Sequence, residues 1–350
     1  MLALQMNGGG EMKKIMILGI AIFLSLFIHA KKIARLPELM KPVQMEVGQN
    51  RLFVSEGTTI YIYSLKDFTL IKKFGKSGEG PREFKVNPFG PPLIIAVGDN
   101  KLRVSSDAKL STWTLDGDFI KEMKVPPFQV FFPVGDKYVA SCSSPGKDKK
   151  VYVNIALYDA NLKMIKELYQ SDWEVGPNFS WSFPMGAFTY IPYKNKIYLI
   201  AAREGFAIDV FDLQGNKTES IRKEYKELKV PDSYKSDILK WFQTSPEFKQ
   251  FFEFFKQRLA FKSHFPPIQW MLVNDDRIYV FTFMQKDGLN ECRIMDLRGT
   301  ELKRVFLPLK KGIRGNSFDL PIFTITNQTF YTIIENDEEE VWELHLVNLK

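Results

Sequence analysis

After Pro42 the chain repeats one hydrophobic pattern, with a single departure between residues 228 and 267. An apolar run is followed by a short polar turn and then by a second run rich in Tyr, Val and Ile. A Gly- or charge-bearing turn leads to a third run ending near Asp-Leu, and a turn such as Asp-Gly leads to a fourth. Period-two alternation bounded by such turns, with no helical period between them, predicts antiparallel four-stranded units. The third strand and its turn are the clearest part, as Ile60–Asp67, Leu110–Gly117, Ala156–Asn161, Ile208–Gly215, Arg293–Gly299 and Val341–Asn348. The second strands begin near Leu52, Leu102, Tyr138, Ile197, Ile278 and Phe330. Six copies predict an all-β fold over residues 31–350, a six-bladed β-propeller of four-stranded antiparallel blades.

The sixth copy has no fourth strand before Lys350. An open ring would leave unpaired strand edges, which proteins avoid. Lys31–Leu36 has the character of the outer strand Leu70–Phe74, so it is expected to close the ring by pairing with the last third strand around Trp342–Leu346.

Residues 228–267, between the fourth and fifth copies, read as a two-helix insertion. Pro231-Asp232 is a start signal, followed by apolar Ile238, Leu239, Trp241 and Phe242. Ser245-Pro246-Glu247 opens a second helix, with proline at its first position. Phe248, Phe251, Phe252, Phe254, Phe255, Leu259 and Phe261 then recur at i, i+3, i+4 spacing. Pro266-Pro267 ends the segment. Helices this apolar must bury a face, and the expected place is the channel mouth.

After the first blade comes Phe74-Gly75-Lys76-Ser77-Gly78-Glu79-Gly80-Pro81-Arg82-Glu83-Phe84. Glycine at this density signals positive φ or close backbone approach, expected at Gly80 among others, and proline stops the strand. The segment resembles the Gly-x-x-Gly-x-Gly-Pro-Gly-x-Phe linker between blades of NHL-like six-bladed propellers, especially bacterial exported ones, with Arg82 in place of the fourth glycine. Weaker echoes occur at Glu174–Phe179 and Ile313–Phe318. The resemblance implies a structural role for Gly75, Gly78, Gly80, Pro81 and Phe84, with Phe84 seated between blades. These glycines lack the Lys-Ser/Thr of a nucleotide loop.

Residues 1–30 read as upstream residues plus a leader. Met12-Lys13-Lys14 before the apolar run Ile15–Ile28 has the form of a secretory signal peptide ending at Ala30. Translation is expected to start at Met12, and no cysteine follows for a lipid anchor. The protein is therefore expected in the periplasm or secreted, with a membrane span only if the leader is uncleaved. The chain has 48 basic and 41 acidic residues, a net charge of +7. That is a small excess on a mixed surface, and with export it argues against a nucleic-acid partner. Cys142 and Cys292 fall in non-adjacent copies and are expected to stay unbonded. With three histidines and no Cys-x-x-Cys, a histidine-built metal site is close to excluded.

Propeller topology puts the blade-to-blade connections and the second-to-third-strand turns on one face, called the top. Loops on a rigid scaffold concentrate binding residues, which nominates Arg82, Arg203, Glu204, Trp241 and His264. Asp337–Glu340 reads as a solvated turn, with calcium as the alternative. No catalytic set is visible and no cofactor is expected. The expected function is a monomeric cell-envelope binding or interaction module, engaging an unknown protein or small molecule at the top face and central channel. The alternative is a channel-centred hydrolase or lyase of the lactonase-like type, for which Asn87, Asn178 and Asn274 are the loosely matching residues.

Overall fold

The computed structural model describes residues 30–86, 92–127, 129–146, 150–175, 180–184, 189–201, 204–246, 248–309 and 322–350. The leader, Arg203, Asn87, Asn178 and the linker echoes at 176–179 and 313–318 lie outside the described residues.

The first strand, β1 (Lys31–Leu36), belongs to the last blade. Blade 1 follows as β2 (Gln44–Gly48), β3 (Arg51–Glu56), β4 (Thr59–Ser64) and β5 (Leu70–Phe74). Blade 2 is β6 (Ile94–Gly98), β7 (Lys101–Ser106), β8 (Lys109–Thr114) and β9 (Phe119–Lys124). Blade 3 is β10 (Phe131–Val134), β11 (Lys137–Pro145), β12 (Val151–Tyr158) and β13 (Met164–Val175). A short strand, β14 (Trp181–Phe183), precedes blade 4, which is β15 (Tyr190–Tyr193), β16 (Lys196–Ile200), β17 (Ala207–Phe211) and β18 (Lys217–Arg222). After the insertion, with its strand β19 (Leu259–Phe261), blade 5 is β20 (Trp270–Asn274), β21 (Arg277–Lys286), β22 (Leu289–Asp296) and β23 (Glu301–Leu307). Blade 6 is β24 (Phe323–Thr326), β25 (Thr329–Asn336) and β26 (Val341–Asn348), completed by β1.

Every blade is an antiparallel meander. The first two strands of a blade are joined by a two-residue turn. Gln49–Asn50, Asp99–Asn100, Lys194–Asn195, Asp275–Asp276 and Asn327–Gln328 hold both turn residues at positive φ. That conformation matches the right-handed twist of the flanking strands. Six apolar clusters fill the six seams between neighbouring blades. Both cysteines are buried and unbonded, Cys142 in blade 3 and Cys292 in blade 5.

Ring closure follows the expected pairing: Lys31 lies opposite Leu346, Ala34 opposite Leu344 and Leu36 opposite Trp342. Leu36 is fully buried in the seam between blades 6 and 1. Lys32 reaches Glu343 at 3.1 Å and Arg35 reaches Glu339 at 2.6 Å.

The insertion differs from its periodicity. Helix α1 (Asp232–Thr244) forms as expected, but the second helix is shorter. A 3₁₀ turn (Lys249–Phe251) leads into the brief α2 (Phe252–Lys256), and Leu259 and Phe261 leave the helix for β19. This strand pairs in parallel with β14. Helical periodicity is overridden because a second exposed strand is available and its backbone groups need partners. The apolar side builds its own small core from Ile238, Phe242, Phe248 and Phe255 around Phe183, with Trp181 stacked on Phe255 at 4.9 Å. It thus faces the connection between blades 3 and 4 rather than the innermost strands. Phe251 and Phe254 remain 43% and 48% exposed.

In the Gly-rich linker, positive φ falls at Gly75 (110°), Gly78 (153°) and Arg82 (62°), whereas Gly80 lies outside the left-handed region. The expectation for Gly80 is therefore corrected: the strained position is the one where NHL-like linkers have their fourth glycine. Phe84 is fully buried beside Trp113, ring centroids 6.0 Å apart. A Cβ at Gly75 would sit 2.2 Å from the Thr58 carbonyl oxygen. Arg82→Gly is expected to change stability by less than about 1 kcal/mol, because relief of left-handed strain offsets the extra unfolded-state freedom. Gly75→Val should cost several times more; equal chemical-denaturation midpoints for the two variants would contradict this reading.

Candidate functional site: a top-face pocket at the neck of the insertion

The insertion stands on a two-stranded neck. Val230 N–H donates to the Ser263 carbonyl at 2.9 Å, and Phe265 N–H donates to the Leu228 carbonyl at 2.8 Å. Below this neck, between blades 4 and 5, lies a cavity of about 140 Å³. That is close to the volume that holds one benzene-sized ring. Its upper wall is Tyr225, Leu228, Phe265 and Pro266–Pro267. Phe265 stacks on Phe283 of β21 at 4.5 Å, which ties the neck to blade 5.

The floor is polar and comes from the upper halves of the blade 5 strands. Thr282 Oγ1 donates to Glu291 Oε2 at 2.7 Å, and Arg304 pairs with Glu291 at 3.2 Å. Arg293 pairs with Glu301 at 2.5 Å and lies over the Phe206 ring at 4.8 Å. Arg293 and Arg304 are direct cross-strand partners, an unfavourable like-charge pairing. Glu301 resolves it by accepting from both guanidinium groups, with Arg304 at 2.9 Å. Burial pushes the Glu301 carboxyl up, but these charged hydrogen bonds outweigh it and hold the group below the usual range. Two arginines and two glutamates leave the floor without net charge. The arrangement suits a ring with a hydrogen-bonding edge better than a free ion.

The nominated residues do not converge on this pocket. Arg82 is at the connection between blades 1 and 2, where its backbone N–H donates to Glu122 at 3.0 Å and its guanidinium covers Phe119. Glu204 pairs with Arg222, close to Tyr225, whose ring edge lies 3.3 Å from where a Gly205 Cβ would stand. His264 is in the neck, its Nδ1 3.0 Å from Ser263 Oγ. Trp241 is part of the insertion core, 4.8 Å from Phe242. Glu204 and His264 thus flank the pocket without lining it. Thr282, Glu291, Arg293 and Arg304 were missed because they lie within strands. A signal was nevertheless present: Glu291 and Arg293, two apart in a strand, must share one face.

Other nominated groups have structural roles. Asn274 donates its amide to the Ile325 carbonyl at 2.9 Å, tying blade 5 to blade 6. In the acidic turn, Asn336 Oδ1 accepts from the backbone N–H groups of Glu338 and Glu339 at 3.1 and 3.2 Å.

Six four-stranded blades, the last closed by an N-terminal strand, define a six-bladed β-propeller. The chain belongs to the 6-bladed beta-propeller family DUF5128, whose model matches residues 38–258. Among solved structures it is similar to a protein described as exported from Bacteroides fragilis, at 12% identity and TM-score 0.50, covering 92% of this chain and 95% of that one. It is also similar to a luciferin-regenerating enzyme (10% identity, TM-score 0.45, covering 92% and 95%). The Pan2 WD40 domain of Neurospora crassa is matched at 7% identity and TM-score 0.43, covering 89% and 90%. These likenesses concern fold. No curated protein matches the sequence. Among the described residues, no helix is long and apolar enough to cross a membrane.

Proposed function

We propose that this protein is a non-enzymatic, exported binding module of the cell envelope that takes its ligand or partner on the top face. The observation that carries this reading is the pocket at the neck: a ring-sized space with aromatic walls over a fully paired Arg–Glu floor. Paired donors and acceptors fixed on strands give orientation at little reorganisation cost. Export is supported by the signal-peptide-like leader and by the exported character given to the Bacteroides fragilis protein. The left-handed backbone at Gly75, Gly78 and Arg82 supports a place among NHL-like propellers.

A thermal-shift screen of small envelope molecules tests the reading. Hits are expected to raise the melting temperature of the parent but not of Arg304→Ala, which removes one side of the floor. Replacing residues 232–262 by a Gly-Ser linker, leaving the neck, should preserve those hits while lowering solubility through exposed Trp181 and Phe183. Hits that stabilise Arg304→Ala as well as the parent would overturn the assignment of the pocket.

A further inference from the structure

The pocket at the neck has a floor whose charges are all paired but whose N–H groups are not. Arg293 lines the cavity with its side chain 11% exposed. Glu301 takes only one edge of its guanidinium, with Nε at 2.6 Å and Nη2 at 2.5 Å. Nη1, with two N–H groups, meets no acceptor among the described residues. The guanidinium is held in that orientation, because Glu301 fixes its edge and the Phe206 ring lies against its face, 4.8 Å away. Arg304 differs: Nε and Nη2 reach Glu301 at 3.1 and 2.9 Å, and Nη1 reaches Glu291 at 3.2 Å.

An acceptor stands two residues from Arg293, on the same face of β22. Glu291 is buried and lines the same cavity. A carboxylate offers about four lone-pair sites. Glu291 uses one on Thr282 Oγ1 at 2.7 Å and one on Arg304. Thr282 is itself committed, since its oxygen also accepts from the Met284 N–H at 3.1 Å. It holds Glu291 in place and leaves the other lone pairs open. A donor and an acceptor without partners therefore sit side by side, and Phe206, Tyr225, Phe265 and Phe283 supply aromatic surface around them.

We propose that the ligand of this pocket is a neutral lactam, a planar ring with an amide in its edge. The inference rests on the pocket assigned above and names the chemistry it takes. The lactam carbonyl accepts from Arg293 Nη1, its N–H donates to Glu291, and the ring lies against the aromatic walls. A volume of about 140 Å³ admits one six-membered ring. An ion of either sign is disfavoured. Arg293 and Arg304 are balanced in number by Glu291 and Glu301, and Lys226 at the rim by Glu224. An ion would lose its hydration beneath Leu228, Phe265 and Pro266–Pro267 and meet no net opposite charge. A neutral amide loses less on entry and gains hydrogen bonds to two charged groups, which are stronger than neutral ones.

Calorimetric titration of the whole protein with α-pyridone and its isomer pyridine N-oxide tests this. Both are single six-membered rings with one exocyclic oxygen acceptor, and only α-pyridone carries an N–H. α-Pyridone is expected to bind about tenfold more tightly, the worth of one hydrogen bond to a charged group. Benzoate is expected to fall behind α-pyridone by at least the same factor. Glu291→Gln, which keeps the side-chain shape, should bring the two isomers to within about twofold of each other. Arg293→Lys, which keeps a positive charge beside Glu301, should weaken both isomers by about tenfold. The isomer ratio is read on the parent protein and decides the matter even where Arg293→Lys does not fold. Benzoate or pyridine N-oxide binding the parent as tightly as α-pyridone, or an isomer preference that survives Glu291→Gln, would overturn the lactam and leave the pocket standing. No binding of any of the three rings at millimolar concentration would overturn it too. The pocket itself falls only if the thermal-shift hits also stabilise Arg304→Ala.

Discussion

A protein lacking residues 31–41 is expected to melt more than about 10 °C below the parent, or not to fold. The deletion strips the outer strand from blade 6 and leaves the edge of β26 unpaired along Trp342–Leu346. It also removes Leu36 and Leu39, both buried in the seam with blade 1. Burying each contributes roughly 1.5–3 kcal/mol, before the cavity they would leave is counted. The milder Leu36→Ala should cost about 2–5 kcal/mol with the strand still in place. The closing strand is also held electrostatically. The Asn336 side chain, then Lys32 and His345, hold the Glu343 carboxyl down at about 2, below its ordinary 4.5. A lowered carboxyl pKa stabilises the fold above the unfolded value and ceases to do so as pH falls towards 2. Lys32→Met should therefore shift the acid-unfolding midpoint upward. A deletion variant that melts within a degree or two of the parent would refute closure by β1.

Glu46→Gln is expected to stabilise the protein at pH 8 and to have almost no effect at pH 4. Burial raises the Glu46 carboxyl from 4.5 to about 7, and the weak bonds from Thr324 and Gln44 offset little of this. The folded state therefore keeps its proton to higher pH than the unfolded chain does. The sign follows: this contribution to stability is full below about pH 4.5, declines through about pH 7 and is flat above it. A shift of this size corresponds to about 3 kcal/mol at pH 8, which the glutamine variant should recover. Denaturant unfolding of parent and variant across pH 4–8 measures the difference directly, since other titrating groups are common to both. Parallel curves would show that Glu46 is solvated.

Much of the architecture was local information, and local information is legible. Period-two alternation and turn residues place strands without reference to the rest of the chain. The second strands read as starting at Leu52, Leu102 and Ile278 begin one residue earlier, at Arg51, Lys101 and Arg277. Closure by Lys31–Leu36 could also be read, because one blade lacked a strand and the candidate had the character of another outer strand. What depends on distant partners could not be read. Phe248–Phe261 has helical spacing, yet its last residues form β19 because Trp181–Phe183 lies alongside. The positive φ at Arg82 rather than Gly80 depends on how the linker seats Phe84. Arg293 and Arg304 are ordinary strand charges until register sets them opposite each other with Glu301 between them. Glu46 is one glutamate among many in the sequence. Only the assembled fold places it on an innermost strand where, among the described residues, no cation pairs with it, because desolvation is a property of the fold and not of the residue.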